Sequence, residues 1–282
     1  MYLPTKFNKI VVLLAVYNGE KYLTEQIESL MNQNVKVDIV IRDDGSTDNS
    51  INTIKDYVDN YDNIYFLEDD LLSTRTQSNF SILLEYAKKL NKYKYFMFCD
   101  QDDVWFDNKV EYTLNKMHEL EKKYSNFPLM VFSNLIVANN NLEIISTSMW
   151  KSEKLDMGIM KNLYDILALN VVTGSTIMIN EYALHKISPM PLNYIYHDHW
   201  IAANIVKYGK YAYIEEPLTI YRQHDHNVLG SSNKGIKYFI QKTIALFIHF
   251  SNFKKKYSYF DFEISLSRIV FHKIKLNIKR LK

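Results

Sequence analysis

The first clear feature of the sequence is an apolar run, Lys9-Ile10-Val11-Val12-Leu13-Leu14-Ala15, which is followed by a polar segment, Val16-Tyr17-Asn18-Gly19-Glu20. A run of this kind is typical of a strand that is buried on both faces of a sheet. Apolar residues then recur at helical spacing, at Leu23, Ile27, Leu30 and Met31. The order of strand, polar turn and helix is the building unit of an α/β protein.

The same unit recurs along the first 120 residues. Strands are predicted over 37–41, 64–67 and 95–99, and helical periodicity follows the first two of these. The repetition predicts a Rossmann-like, doubly wound and mostly parallel sheet. The second half is less regular, with strands predicted over 129–137, 171–179, 211–214 and 218–221 and a helix over 199–208.

The composition places the chain among folded globular proteins. It has 282 residues, of which 47% are hydrophobic and 14% aromatic, with 7 Gly and 5 Pro, so disorder and collagen-like repeats are excluded. Cys99 is the single cysteine, which excludes a disulfide framework and a Cys-based zinc site. We find no secretory signal and no apolar run of about 20 residues. We therefore expect a cytoplasmic protein.

Charge divides the chain into two parts. Residues 234–282 carry 12 basic and 2 acidic residues, whereas residues 1–233 carry 22 basic and 30 acidic ones. We interpret 1–233 as the folded domain and 234–282 as a basic amphipathic helical tail, with apolar positions at Ile236, Phe239, Ile240, Leu246, Phe247 and Phe250. Such a tail suits an anionic membrane surface, here the inner face of the cell membrane. The alternative is a helix that packs on the domain; nucleic acid is not expected, because the domain is acidic.

Acidic residues follow the predicted strands. Asp43-Asp44-Gly45-Ser46 comes after the second strand, and Asp100-Gln101-Asp102-Asp103 comes after the fourth. Ligands of open parallel sheets bind beyond the carboxyl ends of the strands. Carboxylates that gather there repel one another unless a cation offsets their charge. Oxygen ligands suit Mg²⁺ or Mn²⁺, whose shell is often completed by phosphates. We predict a metal and nucleotide-diphosphate site, although each motif alone is also an ordinary turn.

Two common nucleotide-binding motifs are missing from the sequence. It contains neither Gly-x-Gly-x-x-Gly nor Gly-x-x-x-x-Gly-Lys-Ser/Thr. A dinucleotide-dependent enzyme and a P-loop NTPase are therefore disfavoured.

Three motifs in this order resemble the family-2 inverting glycosyltransferases of the GT-A fold: Ala15-Val16-Tyr17-Asn18-Gly19-Glu20, Asp43-Asp44-Gly45-Ser46-Thr47-Asp48 and Asp100-Gln101-Asp102-Asp103-Val104-Trp105. The resemblance covers about residues 9–230. The third motif is similar to a rhamnosyltransferase-like bacterial branch that builds surface polysaccharides. The resemblance implies metal-dependent transfer of one sugar, favoured as rhamnose from dTDP-rhamnose, to a glycan or polyprenyl-linked acceptor. UDP-galactose and UDP-glucose remain alternative donors.

The resemblance also implies roles for residues of the first half. The pocket for the nucleotide base would be lined by Val16, Tyr17 and Glu20. Asp43 and Asp44 would accept hydrogen bonds from the base and the ribose. Asp100 and Asp102 match an Asp-x-Asp pair that would place the metal against the diphosphate. Three further residues have less defined roles: Asp103 as a cap of the helix near Asn108, Asn79 as a sugar or phosphate contact or a helix-end residue, and Trp105 as a surface for sugar stacking or a core residue.

The second half supplies the remaining candidates. In His197-Asp198-His199-Trp200, Asp198 would be the general base that deprotonates the acceptor hydroxyl, or else a helix cap. In Tyr221-Arg222-Gln223-His224, His224 would be a third metal ligand and Arg222 a phosphate partner. Thr173 and Gly174 would lie near the sugar and the acceptor. The segment lacks the Gln-x-x-Arg-Trp motif of processive relatives, which favours one sugar per encounter.

Two other classes of function remain as alternatives. A nucleotidyltransferase or phosphotransferase could use the same metal and diphosphate site, but Asn18-Gly19-Glu20 lacks the basic glycine-rich loop expected of one. A scaffold at the membrane surface with a degenerate nucleotide pocket would bind no nucleotide in a metal-dependent manner.

Overall fold

The computed structural model describes residues 8–69, 76–155, 157, 162–192, 196–224, 254–255 and 257–281. These residues form a nine-stranded sheet with the strand order β3-β2-β1-β4-β8-β6-β9-β5, and β7 pairs with β6 outside this path. The strands are β1 (Ile10–Val16), β2 (Asp38–Asp43), β3 (Ile64–Phe66), β4 (Tyr95–Asp100), β5 (Val104–Trp105), β6 (Leu129–Ala138), β7 (Ile144–Ser146), β8 (Met178–Asn180) and β9 (Lys210–Arg222).

Helices cover the sheet on both faces. They are α1 (Glu20–Met31), α2 (Ser50–Asn60), α3 (Thr76–Leu90), α4 (Lys109–Lys123), α5 (Met149–Ser152), α6 (Leu163–Ala168), α7 (Glu181–Ile187), α8 (His197–Tyr208) and α9 (Leu266–Leu281), with a 3₁₀ turn at Gly174–Thr176. Along β1, alternate residues enter two hydrophobic clusters: Val11, Leu13 and Ala15 join one, and Ile10, Val12, Leu14 and Val16 join the other. Both faces of β1 are thus buried, which explains its continuous apolar sequence.

The register of the central strands brings the polar turns to one edge of the sheet. β2, β1 and β4 are parallel neighbours, and Val16 pairs with Asp43 while Ala15 pairs with Asp100. The carboxyl ends of all three strands therefore meet at the same edge, as the predicted α/β architecture requires.

The second half of the sheet differs from the predicted strands. Most of the strand predicted over 171–179 is wrong, because Gly174–Thr176 form a 3₁₀ turn and β8 spans only Met178–Asn180. β8 runs antiparallel to both β4 and β6. The two strands predicted over 211–214 and 218–221 are one strand, β9, whose register against β6 shifts between Ile214 and Pro217. Proline cannot donate a ladder hydrogen bond, which suits it to such an irregularity.

The described part of the basic C-terminal segment packs on the domain. In α9 the side chains of Ile269 and Leu276 are buried, and the Tyr257 hydroxyl donates to the Leu167 carbonyl at 2.7 Å. The predicted apolar positions from Ile236 to Phe250 lie outside the described residues. Among the described helices, none combines the length and the apolar character that crossing a bilayer requires.

Candidate active site

The turns after β1 and β2 are joined by hydrogen bonds. The Asn18 amide nitrogen donates to Ser46 Oγ at 2.7 Å, and Asn18 Oδ1 accepts from the Thr47 amide at 2.8 Å. Asn18 has a φ of 49°, a left-handed conformation that asparagine tolerates better than most residues. Asp43 Oδ1 accepts from the amides of Gly45 and Ser46 at 2.9 and 2.8 Å. Asp43 therefore stabilises the turn that follows β2. The ligand contact predicted for Asp43 stays a prediction.

A buried arginine connects the end of β2 to the segment after β3 and to α3. The Arg42 guanidinium makes two bonds to Asp69, at 2.7 and 3.0 Å, and Nη1 donates to Asp44 Oδ1 at 3.1 Å. Nη1 also donates to Asn79 Oδ1 at 3.1 Å. Asp44 is thus fixed at the strand end by a charge-assisted bond. Arg42 was not predicted as a site residue, because a basic residue at a strand end is usually solvated.

Asn79 belongs to the same network. Its Nδ2 atom donates to the carbonyls of Val16 and Arg42, at 3.2 and 3.3 Å, and its side chain is buried. The predicted sugar or phosphate contact is wrong, because all the described bonds of this amide are made to the protein. Asn79 instead joins the ends of the two strands.

The three residues predicted to line the base pocket differ in exposure. Tyr17 is 51% exposed and presents a ring at the site edge. The Val16 side chain is buried in the core, because its place in the β1 alternation points it inward, so the predicted pocket contact does not involve this side chain. Glu20 is exposed, and its Oε2 atom accepts from the Asn49 amide at 3.2 Å, just before α2 begins. Tyr17 is the best placed of the three to contact a ligand.

Gln101 clamps the turn after β4 to the turn after β1. The Tyr17 amide donates to Gln101 Oε1 at 2.6 Å, and Gln101 Nε2 donates to the Tyr17 carbonyl at 2.8 Å. A Cβ atom added to Gly19 would lie 2.9 Å from Gln101 Cδ, so glycine leaves room for the clamp. The sequence placed Gln101 in the acidic motif but gave no signal of this pairing.

Four carboxylates converge beyond β4. Burial, followed by the charges of Asp102, Asp103 and Asp198, raises the pKa of Asp100 well above its ordinary value. Asp198 comes from the first turn of α8, where its Oδ1 atom accepts from the His199 amide at 2.6 Å. The helix cap is Tyr196, so Asp198 is not the cap. The fold therefore brings the predicted general base to the predicted metal and diphosphate region.

Asp102 and His224 are in direct contact, although they are far apart in sequence. Asp102 Oδ2 lies 2.8 Å from His224 Nε2, and the imidazole stacks on Tyr22 with ring centroids 5.3 Å apart. In the part of the chain that the structure describes, no group of three His, Cys, Asp or Glu side chains could hold a metal ion. Two side chains suffice for a Mg²⁺-type ion when substrate phosphates and waters complete its shell. The third predicted ligand, Asp100, neighbours them but makes no described contact with either.

Arg222 supports Asp102. Its Nε donates to the Asp102 carbonyl at 2.9 Å, Nη1 donates to the Asn140 carbonyl at 2.8 Å, and Nη2 pairs with Glu25. The side chain is buried, and its guanidinium lies 4.5 Å from the centre of the Tyr22 ring. The predicted phosphate contact is wrong, because the donors of this guanidinium are directed at protein oxygens.

A buried lysine underlies the same loops. Lys109 Nζ donates to the Ser175 carbonyl and to Thr219 Oγ1, the latter at 2.6 Å, and lies 3.5 Å from the centre of the Trp105 ring. Burial lowers the pKa of Lys109. Trp105 is buried, so its predicted stacking on a sugar is wrong. The sequence contained one sign that Lys109 has an unusual environment, because a cation in the first turn of a helix opposes the helix dipole.

Asp103 is buried next to Asp102. Its Oδ1 atom accepts from the Arg222 amide at 3.3 Å, and burial, followed by the charge of Asp102, raises its pKa. The predicted helix cap is wrong, because α4 begins at Lys109 after Asn108. Asp103 instead connects the turn after β4 to the end of β9.

Gly174 and His197 form a tight contact beside the acids. A Cβ atom on Gly174 would lie 2.2 Å from His197 Nε2. The imidazole packs on Phe80 and Phe98, with ring centroids 3.9 and 5.7 Å away, and its buried Nε2 has no hydrogen-bond partner. Burial lowers the pKa of His197 to about 3, so the ring is neutral. Thr173 is half-buried next to this contact.

We expect Gly174→Ala to destabilise the protein by about 1–3 kcal/mol, because the added methyl group overlaps the imidazole. The measurement is urea unfolding of the single variant and of the same change in a His197→Ala background. Removal of the ring should reduce the cost of the alanine. Gly209→Ala is the control, because its Cβ would lie 2.1 Å from the Pro128 carbonyl oxygen, which the histidine does not affect. An equal cost of Gly174→Ala in both backgrounds would show that the imidazole of His197 is not what the added methyl group overlaps.

The chain matches a known sequence family over more than half of its length. Residues 11–186 match the sequence family described as glycosyl transferase family 2. Over 234 residues the chain is 26% identical to the dTDP-rhamnosyl transferase RfbG of Shigella flexneri, which covers 78% of this chain and 74% of that protein. The chain spans 64% and 52% of the length of two further curated relatives.

Solved structures with the same fold share little sequence with this chain. S. aureus TarS 1-349 in complex with UDP-GlcNAc aligns with a TM-score of 0.60 at 13% identity, over 96% of this chain and 72% of that one. Mannosyltransferase PcManGT from Pyrobaculum calidifontis, in complex with GDP-Man and Mn²⁺, aligns with a TM-score of 0.57 at 12% identity. The alignment covers 98% of this chain and 72% of that one. These likenesses confirm the predicted GT-A architecture.

Proposed function

Because the chain belongs to the family-2 glycosyltransferases, we propose that it transfers one sugar from a nucleotide diphosphate to an acceptor hydroxyl with inversion at the anomeric carbon. The proposal rests on one observation, which is that acids from two elements and a histidine from a third meet at one sheet edge. The end of β4 and the turn after it supply Asp100 and Asp102, α8 supplies Asp198, and the residues after β9 supply His224. Such a concentration of carboxylates suits a cation and a diphosphate.

Asp198 is proposed as the general base. In an inverting transfer, a carboxylate takes the proton of the acceptor hydroxyl while its oxygen attacks the anomeric carbon. The bond from that carbon to the diphosphate oxygen breaks, and its electron pair leaves with the nucleoside diphosphate. The charge of Asp198 contributes to the raised pKa of Asp100. This effect supports a position of Asp198 close to the other acids.

Asp102 and His224 are the side chains that would hold Mn²⁺ or Mg²⁺. A carboxylate oxygen and an imidazole nitrogen 2.8 Å apart can share one ion as neighbouring ligands. When bound, the ion would offset negative charge on the departing diphosphate. The Mn²⁺ in the PcManGT complex supports this proposal by likeness of fold alone.

The donor and the acceptor are proposed from likeness alone. Rhamnose from dTDP-rhamnose is favoured by the similarity to RfbG, and a UDP-sugar is the alternative, as in the TarS complex. The proposed acceptor is a glycan or a polyprenyl-linked acceptor at the inner face of the membrane. The purified protein with Mn²⁺, a polyprenyl-linked glycan as acceptor and a panel of dTDP- and UDP-sugars tests the reaction. A nucleoside diphosphate and a glycoside of inverted configuration are expected, whereas release of pyrophosphate would contradict the proposal.

We expect Asp102→Asn to weaken Mn²⁺ binding and to lower the transfer rate by at least about 10²-fold, because it removes a charged ligand next to the leaving diphosphate. Calorimetric titration of Mn²⁺ in the presence of dTDP or UDP measures the binding. Asp107→Asn is the matched control, because Asp107 is an exposed acid in the same segment. Unchanged Mn²⁺ affinity in Asp102→Asn would exclude this residue as a ligand.

A further inference from the structure

The helix α9 has two distinct faces. Its inner face packs on the domain, where Ile269 and Leu276 are buried. On its outer face Phe271, Ile274 and Ile278 are 64%, 42% and 55% exposed. Their spacing of three, four and seven residues places them in one stripe along the helix. Large apolar side chains that are exposed together in this way mark an interaction surface.

The helix is also strongly basic. Residues 266–281 contain five Lys and Arg residues and no Asp or Glu. Lys275 and Lys279 are exposed and lie at the same spacing as the apolar stripe. We define the α9 face as Phe271, Ile274, Lys275, Ile278 and Lys279. An apolar stripe flanked by lysines fits an interface that is both apolar and negatively charged.

The inner face fixes the orientation of the helix. His272 Nδ1 lies 2.7 Å from Asp165 Oδ1, and Arg280 Nη2 lies 3.2 Å from Glu153 Oε2. Lys273 Nζ donates to the Ala168 carbonyl at 3.0 Å. The polar side chains of the inner face therefore bind atoms of the domain itself. The α9 face is therefore held outward by polar bonds that a rotation of the helix would break.

We propose that the α9 face docks the protein on an anionic membrane surface. The apolar side chains would enter the boundary between headgroups and acyl chains, and the lysines would contact anionic lipid headgroups. A second copy of the chain fits less well, because a twofold interface would set two acid-free, basic helices against each other. The proposal is independent of the transfer reaction. It assigns the membrane contact predicted for the tail 234–282 to one defined face of α9, whereas the apolar positions predicted over residues 236–250 lie outside the described part of the chain.

Co-sedimentation of the full chain with lipid vesicles tests the proposal. Vesicles of phosphatidylcholine with about one third phosphatidylglycerol should bind the protein, and vesicles of phosphatidylcholine alone should bind it much less. The double change Lys275→Gln and Lys279→Gln should weaken binding about 25-fold, from about 5-fold for each lysine. The double change Phe271→Ser and Ile278→Ser should weaken it by at least about 10-fold.

Matched variants elsewhere on the surface provide the controls. Phe127 is 45% exposed in the turn before β6, and Lys122 and Lys123 are exposed at the end of α4. Phe127→Ser and the pair Lys122→Gln and Lys123→Gln should leave vesicle binding unchanged. Thermal unfolding identifies any variant that fails to fold. The change of Lys275 and Lys279 provides a second test, because both side chains are exposed and their loss should leave the fold intact. Equal binding to both kinds of vesicle, binding that survives both α9 double changes, or a dimer that only these changes dissociate would overturn the proposal.

Discussion

Asp198→Asn is expected to lower kcat by about 10²- to 10⁴-fold while the affinity for the donor nucleotide stays unchanged. Asparagine has the same shape, and its Oδ1 atom can still accept the bond from the His199 amide, so the start of α8 should keep its geometry. What is lost is the capacity to take a proton from the acceptor. Steady-state kinetics measures the loss of rate, and calorimetry with dTDP or UDP measures the nucleotide affinity.

A comparable acid provides the control for this prediction. Glu181 lies in the first turn of α7, as Asp198 does in α8. Glu181→Gln should leave the rate within a factor of about two, because the helix-dipole contribution of one first-turn acid is small. A near wild-type rate for Asp198→Asn would refute the assignment of the general base. An equal loss in both variants would indicate a general requirement for helix-end charge instead.

Arg42→Met is expected to lower the free energy of unfolding by about 3–5 kcal/mol, the usual cost of removing one partner of a buried ion pair. The change leaves the carboxylates of Asp44 and Asp69 without the guanidinium that neutralises them, and it removes the bond to Asn79. Urea unfolding measures the change, and the Tm should fall by roughly 10 °C. Nucleotide affinity should fall as well, because Asp44 loses the bond that orients it.

Two further variants separate the ion pair from a simple loss of packing. Asp69→Asn in the Arg42→Met background should recover part of the lost stability, because it removes an uncompensated charge. Lys94→Met, at an exposed position just before β4, should change the free energy of unfolding by less than about 0.5 kcal/mol. If Arg42→Met cost no more than Lys94→Met, the buried network would not hold the strand ends.

The first half of the fold followed from local pattern. β1, β2, β3 and β4 were all predicted, because strands buried on both faces have continuous apolar sequences. The positions of Asp43, Asp44, Asp100 and Asp102 at strand ends followed in the same way. The second half was predicted less well: the apolar residues around Gly174 are buried by packing rather than by strand pairing, and a strand pattern does not distinguish the two.

Individual side chains of the site show the limit of the sequence. Val16 and Trp105 belong to motifs of the site yet point into the core, and Asn79 and Arg222 bind protein oxygens rather than a ligand. Lys109 was not predicted at all, although it joins Ser175 and Thr219 under the acidic turn. A motif places a residue at a site, but it does not state which way its side chain points.

The order of strands and helices, the family and the edge of the sheet that carries the acids were all readable from the linear sequence, because each depends on neighbouring residues. The pairing of Asp102 with His224, the burial of Arg42 and Lys109 and the outward face of α9 required the folded chain. These contacts join residues far apart in sequence, and whether a charge is solvated or paired depends on the partner that folding brings to it.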